Sequence, residues 1–256
     1  MTDFSTNLNK GYFKKLLHSV ISIAFWITVW YIISKIVNRE VLVASPFSVL
    51  NRIIFLVQKD YFWISAAMSL LRIMLGFAIS VISAIIFAVL SVKIKIIQIL
   101  LEPLMTIIKS TPVASFIILA IVWLDISHIP AFTSFLMVFP VMWTNIFTGI
   151  KSTDINLIEM VRIFKIDKSK VLTKLYIPSV MPYFKSGCIA CIGLAWKAGI
   201  AAEVLCTPKN SIGKYLYESK IYLETADLFA WTIVIILLSL VLEKILVRVI
   251  TGRGTR

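Results

Sequence analysis

The stretch Asp154–Pro182, DINLIEMVRIFKIDKSKVLTKLYIPSVMP, is a charged island in an otherwise apolar chain. Glu159, Arg162, Lys165, Asp167, Lys168, Lys170 and Lys174 gather within it. Leu157, Met160, Val161 and Phe164 fall at i, i+3, i+4 and i+7, so they share one face of a helix. Asp154 is placed to cap that helix. Asp167 is placed to cap a second, whose apolar side holds Val171, Leu172, Leu175 and Tyr176. Pro178 disfavours helical backbone at Ile177. The reading is two short amphipathic helices and a break between two membrane spans: a basic elbow suited to docking on a partner.

The membrane reading follows from what surrounds the elbow. Of the 256 residues, 59% are hydrophobic, and the mean hydropathy is +0.94; soluble domains are about half apolar. Six runs are long enough to cross a bilayer: Leu16–Val37, Phe62–Val92, Ile96–Leu124, Ala131–Ile150, Pro182–Leu205 and Leu228–Val247. The expected fold is therefore an all-α integral membrane protein with six transmembrane helices. Its parts are a first segment over residues 1–61, a membrane domain over residues 62–250, and the elbow over residues 151–178. Residues 1–15 read as a polar tail. The run that follows is too long for a signal peptide and lacks a small-residue cleavage site. Ser45-Pro46 opens a further helix, with Val49, Ile53 and Leu56 at helical spacing, that suits the outer interface.

The formal net charge of +13 does not indicate a nucleic-acid partner. The cations cluster beside the apolar spans, as the positive-inside bias requires. Placing both termini and the elbow in the cytoplasm leaves Arg39, Arg52, Lys59, Lys209, Lys214 and Lys220 outside, against the larger group inside that includes Lys10, Lys14, Lys15, Lys93, Lys95, Arg248, Arg253 and Arg256. Three cysteines do not make a disulfide framework. The Cys188-x-x-Cys191 pair lies within a span and reads as two small residues on one helix face. No P-loop G-x-x-x-x-G-K-[ST], H-E-x-x-H or G-x-S-x-G is present, so neither nucleotide binding nor hydrolysis is expected on this chain.

Charges and prolines inside the spans mark the candidate path. Arg72 in an apolar run must face protein or water, as a structural arginine or a path residue. Lys109 lies between Pro103 and Pro112, and Pro112 should kink or break its helix. Lys197 and Glu203 are six residues apart, so they do not share a helix face. Three cations against one carboxylate point to an anionic solute. In the elbow, Glu159 and Arg162 are spaced to pair at i, i+3. The lysines there either meet acidic groups on a partner or supply ordinary inner-leaflet charge.

Several of these stretches resemble the binding-protein-dependent ABC import permeases. Glu159-Met160-Val161-Arg162 stands where that family has E-A-A-R, Lys165 where it has glycine, and Ile177-Pro178 where it has Leu-Pro. Ala44–Leu50 and Ser69-Leu70-Leu71-Arg72 with Gly76-Phe77 are similar to patterns of the nitrate, sulfonate and taurine branch, and Asn145 with Gly149 and Gly193–Glu203 with its Ala195-Trp196 resemble patterns of the family as a whole. Trp123-Leu124-Asp125 stands where the family tends to have W-F-G. The resemblance implies a permease subunit that carries a small solute, such as nitrate or a sulfonate, across the cytoplasmic membrane of a prokaryote. It implies ATP-binding cassette subunits that hold ATP and Mg and receive the elbow through Glu159, Arg162, Phe164, Lys165 and Pro178. It also implies an extracytoplasmic solute-binding protein, a second permease copy, and a path near Arg72, Lys109, Pro112, Lys197 and Glu203. The rival readings are the membrane component of an energy-coupling-factor vitamin importer, which would carry Ala-Arg-Gly signatures, and a secondary transporter, which often shows an internal repeat.

Overall fold

A computed structural model describes residues 3–252. Arg253 and Arg256, counted above among the inner cations, lie outside the described residues. Every regular element described is helical: α1 (Asp3–Val37), α2 (Pro46–Val57), α3 (Asp60–Lys93), α4 (Lys95–Ser110), α5 (Val113–Trp123), α6 (Ile129–Lys151), α7 (Ile155–Ile163), α8 (Lys168–Val171), a π-turn (Leu172–Tyr176), α9 (Ile177–Cys206), α10 (Ile212–Ile221) and α11 (Thr225–Thr251). The expected polar tail is helical from Asp3 and continues into the first span. The expected outer loop after α9 contains α10, which Ser211 caps by accepting from the Lys214 N–H at 3.1 Å.

Helices α3, α6 and α9 form the core. Ile73, Val138, Met142, Cys191 and Ala195 are buried where they meet. Gly76 lets α3 lie directly on the start of α6: a Cβ there would stand 2.1 Å from the Ala131 carbonyl oxygen. Trp196 ties α9 to α11, its indole N–H donating to the Ile235 carbonyl at 3.1 Å. Cys188 and Cys191 are buried free thiols, with Cys191 Sγ 3.9 Å from the Val138 carbonyl. They pack as small residues.

Helix α2 forms as Ser45-Pro46 predicts. Ser45 accepts from the Ser48 N–H at 3.1 Å, and Pro46 occupies the first turn. Val49 and Leu56 are buried, whereas Phe47, Leu50 and Ile54 are exposed. Arg52 anchors α2 to the start of α11 through a two-pronged pair with Asp227, in which Nη2 donates to Oδ2 at 2.8 Å. By contrast, α1 meets the remainder mainly at its end, where Trp30 donates to the Ala44 carbonyl and stacks on Phe229.

Among the described residues, four helical stretches are long and apolar enough to cross a bilayer: Val20–Val37, Asp60–Lys93, Ile129–Lys151 and Lys168–Cys206. The pair α4 and α5, bent by 106°, makes up to five. That falls short of the six expected, and the broken pair shows why an apolar run need not be one straight span. The 27-residue α11 occupies the position read as the last span.

Candidate functional site: the elbow, the broken span and the intramembrane charges

The elbow begins as its sequence dictates. Asp154 Oδ1 accepts from the Asn156 N–H at 2.8 Å, opening α7. At the other end Lys165 adopts φ +47, in the left-handed region. The Lys165 N–H donates to the Arg162 carbonyl at 3.3 Å, and the Ile166 N–H donates to the Val161 carbonyl at 3.1 Å. These two bonds define a Schellman stop. Asp167 Oδ2 then accepts from the Ser169 N–H at 3.0 Å and opens α8.

Helix α7 divides its apolar residues between two directions. Ile158, Val161 and Ile166 are half-buried. Leu157, Met160, Ile163 (75% exposed) and Phe164 (72% exposed) are open. Val161 therefore leaves the face to which its spacing assigned it. Glu159 and Arg162 are both exposed and form no ion pair within 4 Å, so the expected i, i+3 pair is absent. On the nine-residue α7 an exposed pair gains too little to hold two long side chains in one geometry against hydration.

Beyond Asp167 the expected break is also absent. Four residues of α8 run into the π-turn and then into α9 without interruption, and Ile177 is helical at φ −59, ψ −49. A proline in a regular α-helix clashes with the carbonyl four residues back. Here the Ile177 N–H donates to the Leu172 carbonyl, five residues back. The wider turn accommodates the Pro178 ring, so the elbow is welded to α9 rather than hinged from it. Leu175 is buried, Val171 and Tyr176 are half-buried, and Leu172 is exposed, so only part of the second expected apolar face is covered.

The break falls instead at Ser110-Thr111-Pro112. Thr111 and Pro112 are extended (ψ 133 and 134), and α5 leaves at 106° to α4. Ser110 and Thr111 hydroxyls donate to the Ile107 carbonyl at 3.1 and 2.8 Å, which satisfies the frayed end of α4. Lys109 reaches across to α6, where Nζ donates to Thr144 Oγ1 at 2.9 Å.

Two of the charges marked in the sequence meet at the opposite end of the bundle. Glu203 is fully buried. Its Oε2 accepts from Ser69 Oγ at 2.7 Å and from the Gly213 N–H at 3.2 Å, and Oε1 lies 3.7 Å from Arg72 Nη1. Ser69 Oγ accepts from the Ile212 N–H at 3.0 Å. Arg72 donates to the carbonyls of Asn210 (3.1 Å) and Lys209 (2.9 Å). Gly213 is required, because a Cβ there would stand 2.4 Å from Glu203 Cβ. The arrangement clasps residues 207–213 onto α3 and α9. Lys197 is exposed on α9, apart from Glu203, as its spacing indicates. The structure thus joins Arg72 with Glu203 and leaves Lys109 and Lys197 outside their network. Ser69, Thr144 and Asn210 were not singled out in the sequence. Only Ser69 left a signal there, as the first letter of the pattern that contains Arg72.

An all-α bundle with several helices long and apolar enough to cross a bilayer, one of them a bent pair, is the architecture of a multi-pass membrane protein. The family model for the binding-protein-dependent transport system inner membrane component matches residues 80–252, and the chain belongs to that family. A probable ABC transporter permease of Brucella melitensis is 26% identical over 229 residues, covering 89% of this chain and 92% of that protein. The bicarbonate transport system permease CmpB of Synechococcus elongatus is 27% identical over 188 residues, 73% of this chain and 67% of its own. The nitrate import permease NrtB of the same species is 23% identical over 216 residues, 80% and 77% respectively. The membership favours neither the energy-coupling-factor component nor the secondary transporter.

Proposed function

We propose that the chain is the permease subunit of an ATP-driven importer of a small anion. The observation that carries this reading is the open apolar face of α7, with Ile163 and Phe164 projecting away from the bundle. An amphipathic helix so presented is fitted to a groove in another protein. That protein is an ATP-binding cassette subunit, which holds ATP and Mg, while Glu159, Arg162, Phe164 and Lys165 form the contact and Pro178 shapes its connection to α9. Both termini and the elbow face the cytoplasm, α11 is the sixth span, and the membrane is the cytoplasmic membrane of a prokaryote.

Two copies of the chain enclose the path, and an extracytoplasmic solute-binding protein delivers the solute to the end that carries α2 and α10. The bicarbonate and nitrate carried by the named relatives support an anion. Lys109 and Lys197 are the cations left for it, because Arg72 already faces Glu203. The tagged chain, drawn from its native membranes, should bring down a stoichiometric ATP-binding subunit, and Phe164→Asp should release it. Recovery of the wild-type chain without any ATPase would overturn the reading.

A further inference from the structure

A groove of about 1010 Å³ opens at the elbow end of the bundle, between α3 and α9 with α6 behind. This is at the upper end of the roughly 300–1,000 Å³ usual for small-molecule sites. Its walls are apolar: Ile85 and Val89 on α3, Ile150 on α6, Val180 and Phe184 on α9. Its rim is basic, made by Lys93 at the end of α3, Arg162 and Lys165 at the elbow stop, and Lys168 at the start of α8. No carboxylate lines it. The nearest in sequence are Asp167, engaged in capping α8, and the exposed Glu159.

We infer that this groove holds one anionic phospholipid, its phosphate at the basic rim and an acyl chain along the α3–α9 cleft. Two observations select a lipid. First, the groove climbs α3 from Lys93 to Ile85, eight residues or ~12 Å at 1.5 Å per residue. That depth lies inside the apolar span, where a water-soluble partner docked on the elbow does not reach. Second, four cations around an apolar cleft at a membrane boundary match an acidic headgroup over its tail, and basic pockets between spans are known to take such headgroups. A neutral lipid would leave the rim charge unmatched. The Schellman stop builds the site: it folds Ile166 back to the groove wall and sets Lys165 on the rim. The inference rests on the chain spanning a membrane, not on the importer reading, so its test involves no transport.

The full-length chain, purified in mild detergent, would be offered equal amounts of phosphatidylglycerol and phosphatidylcholine and examined by native mass spectrometry. One phosphatidylglycerol per chain should be retained in preference to phosphatidylcholine. Lys93→Gln with Lys168→Gln should lower that retention about thirtyfold, the size expected for two lost cations at an acidic headgroup. Lys93→Arg with Lys168→Arg should keep it. A phosphatidylglycerol with a photoreactive acyl chain should label peptides containing Val89 and Val180. Equal retention of the two lipids, unchanged retention in the glutamine variant, labelling elsewhere, or a second chain or ATPase filling the groove in place of lipid would each overturn the assignment.

Discussion

Lys165 occupies a backbone position that glycine fills with least strain. At φ +47 a lysine is disfavoured by about 1 kcal/mol relative to glycine. Lys165→Gly should therefore raise the thermal stability of the purified chain, whereas Lys165→Ala, which keeps a Cβ, should not. The same variant should weaken phosphatidylglycerol retention, so stability and lipid binding should move in opposite directions. Glu203 makes a contrasting case: it is fully buried, beside a buried Ser69 and a half-buried Arg72. Glu203→Ala removes the acceptor of Ser69 Oγ and of the Gly213 N–H and the charge facing Arg72, which keeps the Asn210 and Lys209 carbonyls, and should cost about 3 kcal/mol, the lower end of the range for breaking a buried pair from one side. Glu203→Gln can still accept from Ser69 and should cost less. Comparing thermal unfolding of the two variants tests this ordering. Arg72 and Glu203 were both visible in the sequence as charges in apolar runs. That they face each other was not, because 131 positions separate them and neither spacing nor periodicity crosses such a distance.

At the scale of elements, caps and stops were the legible features. Asp154, Ser45 and Asp167 act within three residues of their own position, so a local pattern suffices to find them. Pro178 and Pro112 were read alike, as breaks, and the structure treats them differently. Pro178 falls where a π-turn widens the helix, and Pro112 falls where Thr111 is already extended. A proline excludes one hydrogen bond, and its surroundings decide whether the helix widens or ends. Pro112→Ala restores an N–H and removes the ring, which should favour a continuous helix from α4 into α5. Transport by reconstituted complex should fall, and cysteine accessibility at Trp123→Cys should change; unaltered transport would mark Pro112 as a structural kink only. For α7, Glu159 is exposed and unpaired, so Glu159→Lys should leave the fold intact. It should abolish substrate-stimulated ATPase activity in the assembled transporter, and undiminished stimulation would remove Glu159 from the coupling contact.

At the scale of the whole molecule, several apolar surfaces among the described residues are exposed. Trp26 and Ile36 of α1 and Val122 and Trp123 of α5 are exposed apolar residues, as are those on the outward face of α7. The assembly should purify with two permease copies, counted by native mass. The hydropathy gave the membrane class. It could not show that one apolar run bends through 106°, since composition carries no angle. The uninterrupted helix from Lys168 to Cys206 has a mechanical consequence. Its 39 residues form a rod of ~58 Å, loaded at one end by the elbow and fastened at the other to Arg72, Ser69 and Gly213 through Glu203. A tilt applied at α8 would travel toward residues 207–213 through the π-turn and Pro182, the two points at which such a rod bends most readily.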